Sequence, residues 1–202
     1  GISFLGKVPS HWDIIKFGKC VSVKSHLVSP EKYWDYPQIA PDCIEKNSGK
    51  LLSYKTVHES GVMSWNHLFF KGQIIYSKIR PLLNKVIIAP FDGLCSADMY
   101  PMETTNIKQF IVYLMLSDYF SAQVALVTAN RVKMPKINQN ELSNIFVVLP
   151  PIEEQFSISD YLQKKCKLID QSMEKRQVII DKLVDYKKIL IYEAVTGKRE
   201  VK

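Results

Sequence analysis

The chain has 202 residues, a formal net charge of +7, 47% hydrophobic residues and 23% charged ones. That length accommodates one substantial core, or one globular domain plus a long extended element, and the composition excludes a disordered or fibrous protein. No stretch approaches the ~18 apolar residues of a membrane span, because the most apolar segment, 110–116, is interrupted by Ser117 and Asp118.

In chain order, the first 60 residues yield two candidate strands, 12–23 and 36–44. Short apolar runs bounded by Gly, Pro and Asn then predict strands at 73–79, 85–89, 94–100 and 145–149. Asn106 with Gln109 predicts a capped helix over about 107–127, with Phe110, Ile111, Leu114, Met115 and Phe120 on one broad face. The pair Pro150-Pro151 ends this part, since neither proline can donate to a strand ladder and each holds the preceding residue extended. Neither Gly nor Pro follows until Gly197, which stands where a helix C-terminal stop belongs. As one helix, the roughly 43 residues over 153–195 reach about 65 Å.

Along that helix Leu162, Cys166, Ile169, Met173, Arg176, Ile180, Leu183, Lys187, Leu190 and Ala194 alternate spacings of four and three, the heptad rule of a coiled coil. Ile179, Tyr186 and Ile189 widen the apolar face, which no single helix buries against itself. The expected fold is α+β, with a mostly β globular domain over 1–150 and a coiled-coil-forming helix over 151–202. Leu162, Ile169, Met173, Ile180, Leu183 and Leu190 are its expected dimerisation face.

The basic excess sits in the globular part, which carries net +5 over 1–152 against +2 over 153–202. Residues 60–91 hold Lys71, Lys78, Arg80 and Lys85 with no acidic residue, and residues 128–140 hold Arg131, Lys133 and Lys136, also unopposed. The first stretch reads as strand, turn, strand, with Lys78, Arg80, Asn84 and Lys85 around Pro81. Cations on a rigid hairpin suit phosphate or guanine contacts, and a solvated basic turn is the equal alternative on local pattern alone. The second reads as a basic loop able to enter a groove, with Asn130 and Arg131 as base readers and Lys133 and Lys136 beside them; a plain linker is its alternative.

Enzyme signatures are missing: there is no G-x-G-x-x-G, no phosphate-binding G-x-x-x-x-G-K-[ST], no G-x-S-x-G and no H-E-x-x-H. Pro41-Asp42 begins a nuclease-like pattern, but the acidic-x-Lys triplets that would complete a metal pocket lie in the distant helix and tail. Cys20, Cys43, Cys95 and Cys166 are scattered, as for reduced thiols of a cytoplasmic protein. His11, His26, His58 and His67 form no ligand spacing, so no metal is expected. Trp12, Trp34 and Trp65 are read as core and given no function.

Taken together, Gly6-Lys-Val-Pro-Ser-His-Trp12, the segment 72–85 with its Ser77-Lys-Ile-Arg-Pro81 centre, Gly93-Leu-Cys-Ser96, Leu149-Pro-Pro-Ile-Glu-Glu-Gln155 and Glu193-Ala-Val-Thr-Gly197 resemble, in order and spacing, type I restriction-modification specificity subunits. The resemblance covers essentially the whole chain. It implies a target-recognition domain followed by a spacer helix, with double-stranded DNA as ligand and no catalytic residue or cofactor of its own. S-adenosylmethionine is then expected on a partner modification (methyltransferase) subunit, with a restriction subunit as further partner. A full subunit of this family holds two such halves whose helices pair antiparallel. One half alone fits either a short subunit that homodimerises through the helix or half of a longer polypeptide. Within the family-typical hairpin, Lys78, Arg80 and Lys85 are expected as scaffold or phosphate contacts, and Asn130, Arg131 and Lys133 as the better candidates for specificity. A coiled-coil assembly protein without DNA function and a stand-alone DNA-modifying enzyme are the competing readings.

Overall fold

The computed structural model describes residues 6–131 and 133–200. In chain order its strands are β1 (Asp13–Lys16), β2 (Ser22–Val23), β3 (Leu27–Val28), β4 (Pro37–Ile39), β5 (Lys55–Thr56), β6 (Asn66–Phe69), β7 (Ile74–Ser77), β8 (Val86–Ile88), β9 (Gly93–Ser96), β10 (Met99–Glu103) and β11 (Phe146–Leu149). The helices are α1 (Val57–Ser60), α2 (Lys108–Leu116), α3 (Asp118–Thr128), α4 (Gln139–Ser143) and α5 (Ile152–Val195). The fold is α+β, with a long C-terminal helix.

Strands β1 and β11 pair as a two-stranded sheet, β2-β10-β7-β8 form a second and β3-β6-β9-β4-β5 a third. Every pairing is antiparallel except that of β4 with β9. The middle sheet is covered on both faces, which explains why β7 reads Ile-Ile-Tyr-Ser without polar alternation. Ile74 and Tyr76 point into a core shared with Phe110, Ile111, Met115 and Phe120 of α2 and α3. Ile75 points the other way, into a second core with Ile39, Phe69 and Cys95 of the five-stranded sheet. Burial pushes the Cys20 thiol up to about 11, so it stays protonated.

Several sequence expectations need correction. The run 94–100 is two strands in two different sheets, separated by a turn at Ala97 and Asp98. The helix expected over 107–127 breaks at Ser117, whose backbone turns extended (φ −73°, ψ 149°) while its hydroxyl accepts from the Phe120 N–H. That is the N-cap arrangement a serine before Asp118 favours, and it starts a new helix. Asn106 does not cap α2: the N-cap is Ile107, and its N–H donates to the side-chain oxygen of Gln155 instead. The candidate strand 12–23 is shortened to β1, a 3-10 turn at Phe17–Lys19 and β2, and 36–44 to β4 and a 3-10 turn at Pro41–Cys43.

The chain divides into two compact units, one ending at Ser159 and the other beginning at Asp160. The division falls within α5, nine residues after the expected one at Pro150, because the first turns of the helix belong to the globular core. Gln155 is buried there; its amide donates to the Asn106 side chain (3.0 Å) and the Pro150 carbonyl (2.8 Å). Glu154 accepts from the Trp12 indole (2.9 Å) and meets the His11 ring (2.7 Å), and these contacts hold its carboxyl below the usual range.

In the second unit none of the described residues is buried. Ile169, Met173, Ile180 and Leu183 are half or more exposed, and Leu162 and Leu190 are partly so. Gly197 takes φ +69°, and the N–H groups of Lys198 and Arg199 turn back to the Glu193 carbonyl, closing the helix as expected.

Candidate nucleic-acid interface

The two unopposed basic stretches, some fifty residues apart in sequence, meet in space. Between β7 and β8 the chain makes a 3-10 turn, Pro81–Leu83, flanked by Arg80 (φ +46°) and Asn84 (φ +49°) in the left-handed region. Alongside it runs the loop that joins α3 to α4. The Arg80 N–H donates to the Pro135 carbonyl (2.8 Å), and the Ile137 N–H donates to the Lys78 carbonyl (2.9 Å). Ile79 and Lys136 form an isolated antiparallel bridge. Hairpin and loop therefore make one continuous platform.

Two neighbouring concavities open on it. One is lined by Lys78, Tyr100, Arg131, Lys133, Met134 and Lys136, together with Ile137 and Asn138. The other is lined by Pro41, Asp42, Ile79, Arg80, Leu83, Lys85, Asp98 and Met134. By contrast, a recess beside Gly18, lined by Phe17, Val21, Met102 and Leu142 among others, carries no charged side chain. A Cβ at Gly18 would stand 2.5 Å from the Ser143 Cβ, so that close approach keeps α4 against the 3-10 turn of residues 17–19.

The eight predicted site residues divide by what already holds them. The Arg131 guanidinium donates twice to Glu141 and once to the Lys136 carbonyl. The pair holds the Glu141 carboxyl below its ordinary range, chiefly through the Arg131 hydrogen bonds and then through the Asn138 N–H. Lys136 pairs with Asp98 (2.8 Å). The Lys78 ammonium lies 5.1 Å from the Tyr100 ring centroid, a cation–π distance. Lys85 donates to the Pro41 carbonyl (2.6 Å), and the buried Asn84 side chain donates to the Ser121 hydroxyl (3.2 Å), bracing the turn against α3. Arg80, Asn130 and Lys133 are exposed. Among the described residues, neither the Arg80 nor the Lys133 side chain has a hydrogen-bonding or ionic partner.

Reading the sequence alone misses Tyr100, Met134 and the counter-ions Asp98 and Glu141. Tyr100 and Asp98 lie on a segment with no basic character, and only the tertiary fold carries them to the platform; Met134 and Glu141 lie in or beside the second basic stretch, where an apolar side chain and a carboxylate carry no charge signal of their own. The buried His67 is held below its ordinary value, first by burial and then by the nearby Lys78 charge. Among the described residues, no group of three His, Cys, Asp or Glu side chains is placed to hold a metal ion. No single helix among them is long and apolar enough to cross a membrane.

The platform stands on an α+β domain that leads into a long helix. The profile of the type I restriction modification DNA specificity domain matches residues 12–180, and the chain belongs to that family. It is 44% identical over 154 residues to the type I restriction enzyme EcoDI specificity subunit of Escherichia coli, an alignment covering 76% of this chain and 34% of that protein. It is 26% identical over 219 residues to the MjaVIII specificity subunit of Methanocaldococcus jannaschii, covering 99% of this chain and 49% of that one. The HsdS subunit from Thermoanaerobacter tengcongensis shares its fold, with a TM-score of 0.72 and 21% identity over 94% of this chain and 50% of the other. The chain thus spans about a third to a half of the length of these relatives.

Proposed function

We propose that the chain is one target-recognition half of a type I specificity subunit, which binds a specific sequence in double-stranded DNA and does no chemistry on it. The observation that carries this reading is the union of the two unopposed basic stretches into one backbone-bonded platform. Lys78, Arg80, Lys133 and Lys136 bring cations to it, as phosphate contact requires, while loop side chains are free to meet base edges. Arg131, tied to Glu141, acts as a strut of the loop, and Asn84 and Lys85 brace the turn.

On this reading the chain carries no cofactor, and a modification subunit supplies S-adenosylmethionine and methylates the target. A restriction subunit completes the assembly, which works in the cytoplasm where the DNA is. The apolar face of α5, with Leu162, Ile169, Met173, Ile180, Leu183 and Leu190, pairs as a coiled coil with a second such helix. That helix comes from another copy of the chain or from the other half of a longer polypeptide, and the pair sets the gap between two half-sites.

The test is selection from a randomised duplex pool by the chain, alone and assembled with its cognate modification subunit. A motif of two half-sites with a fixed gap is the expected result; an assembled complex that enriches nothing overturns the reading. Replacing Arg80 or Lys133 by Ala should weaken binding and lower the slope of log K against log salt by about 1 each. A slope that stays the same removes that residue from the phosphate contacts.

A further inference from the structure

We infer that Met134 is a specificity residue, reading the C5-methyl group of a thymine in the major groove; the inference rests on the proposed role of this platform in binding DNA. Met134 is 55% exposed and stands at the rim shared by the two basic concavities. Lys78, Arg80, Lys133 and Lys136 share its surface, with Ile79, Leu83 and Tyr100 lining the same concavities. More than half of this flexible apolar side chain is open to solvent at a surface rich in cations, so its exposed part is available to what the cations attract.

Its backbone takes φ +47°, a region that residues with a Cβ enter only where their surroundings hold them. Contacts on both sides of it hold the loop. Pro135 accepts from the Arg80 N–H, Lys136 is bridged to Ile79, and the Arg131 guanidinium grips the Lys136 carbonyl. The loop thus fixes the point from which this side chain projects.

Among the groups on the floor of the major groove, the thymine methyl is the one apolar feature. Phosphates and the polar edges of bases suit the neighbouring lysines and Arg80, not a thioether. Met is unbranched and polarizable, so it can close on a methyl group without demanding one exact angle. A wedge driven between base steps is the other use of an exposed Met, and it works through unstacking rather than through the methyl.

Uracil in place of thymine separates these, because it removes the methyl and leaves pairing intact. With the target selected as above, each thymine is replaced in turn, and Kd is measured for the chain assembled with its modification subunit. At one thymine the replacement should weaken the unsubstituted protein about three- to fivefold, the loss of one buried methyl contact. Met134→Ala should bind the thymine duplex weaker by a similar factor and be indifferent to uracil at that position. Met134→Leu should keep part of the thymine preference. If no replacement affects the unsubstituted protein, if the target has no thymine, or if uracil weakens Met134→Ala equally, Met134 does not read a methyl group. A wedge gives that last pattern, with Met134→Ala weaker on every duplex. If no target is enriched at all, the DNA-binding reading itself fails and this inference falls with it.

Discussion

At the scale of single residues, the loop's basic side chains have unlike duties. Arg131 spends its donors on Glu141 and the Lys136 carbonyl, whereas Lys133 spends none. A strut and a contact residue differ in a way that mutation can read. If Arg131 positions the loop, removing either end of the pair should loosen it. Arg131→Ala and Glu141→Ala are then both expected to weaken DNA binding, and the double variant should lose less than the sum of the two, since the pair is shared while Arg131 also holds the Lys136 carbonyl and Glu141 the Asn138 N–H. A loss confined to Arg131→Ala would place its guanidinium on the DNA instead. The usual charge argument points the other way for Glu141→Ala, since deleting a carboxylate from a DNA-binding surface ought to strengthen binding. The comparison is therefore a sharp one.

At the scale of elements, what was legible in the sequence follows from how each element is held. Strands β7, β8 and β11 are apolar runs set off by turn residues, and α5 is a long helical pattern free of Gly and Pro, so local pattern finds them. Strands β3 and β5 have two residues each and exist because β6 and β4 lie beside them; strands so short contain no period to count. The turn between β9 and β10 holds neither Gly nor Pro, so two strands read as one. Both halves of the basic platform were visible as charge runs, but their meeting depends on backbone bonds between distant segments. Gln155 shows the same limit. It reads as an ordinary polar residue early in a helix, yet it is buried and ties the start of α2 and the Pro150 carbonyl to α5. Gln155→Leu should strand those backbone groups and cost on the order of 1–3 kcal/mol, seen as a lower urea midpoint. An unchanged midpoint would make the contacts incidental.

At the scale of the whole molecule, the second unit exposes a row of large apolar side chains that a lone helix gains nothing by displaying. On the proposed pairing, Leu183→Asp with Leu190→Asp should turn a dimer into a monomer by light scattering while leaving the melting of the first unit unchanged; a dimer that persists would assign those side chains another partner. The loop, finally, is fastened to the hairpin mainly by main-chain groups, through Arg80 to Pro135, Ile137 to Lys78, and the bridge of Ile79 with Lys136. Bonds of that kind are indifferent to which side chains the loop bears. Lys133 or Met134 can be exchanged by mutation without unseating the loop. If the platform binds DNA as proposed, a lineage can thus acquire a new target by small steps in the loop while its scaffold stays unaltered.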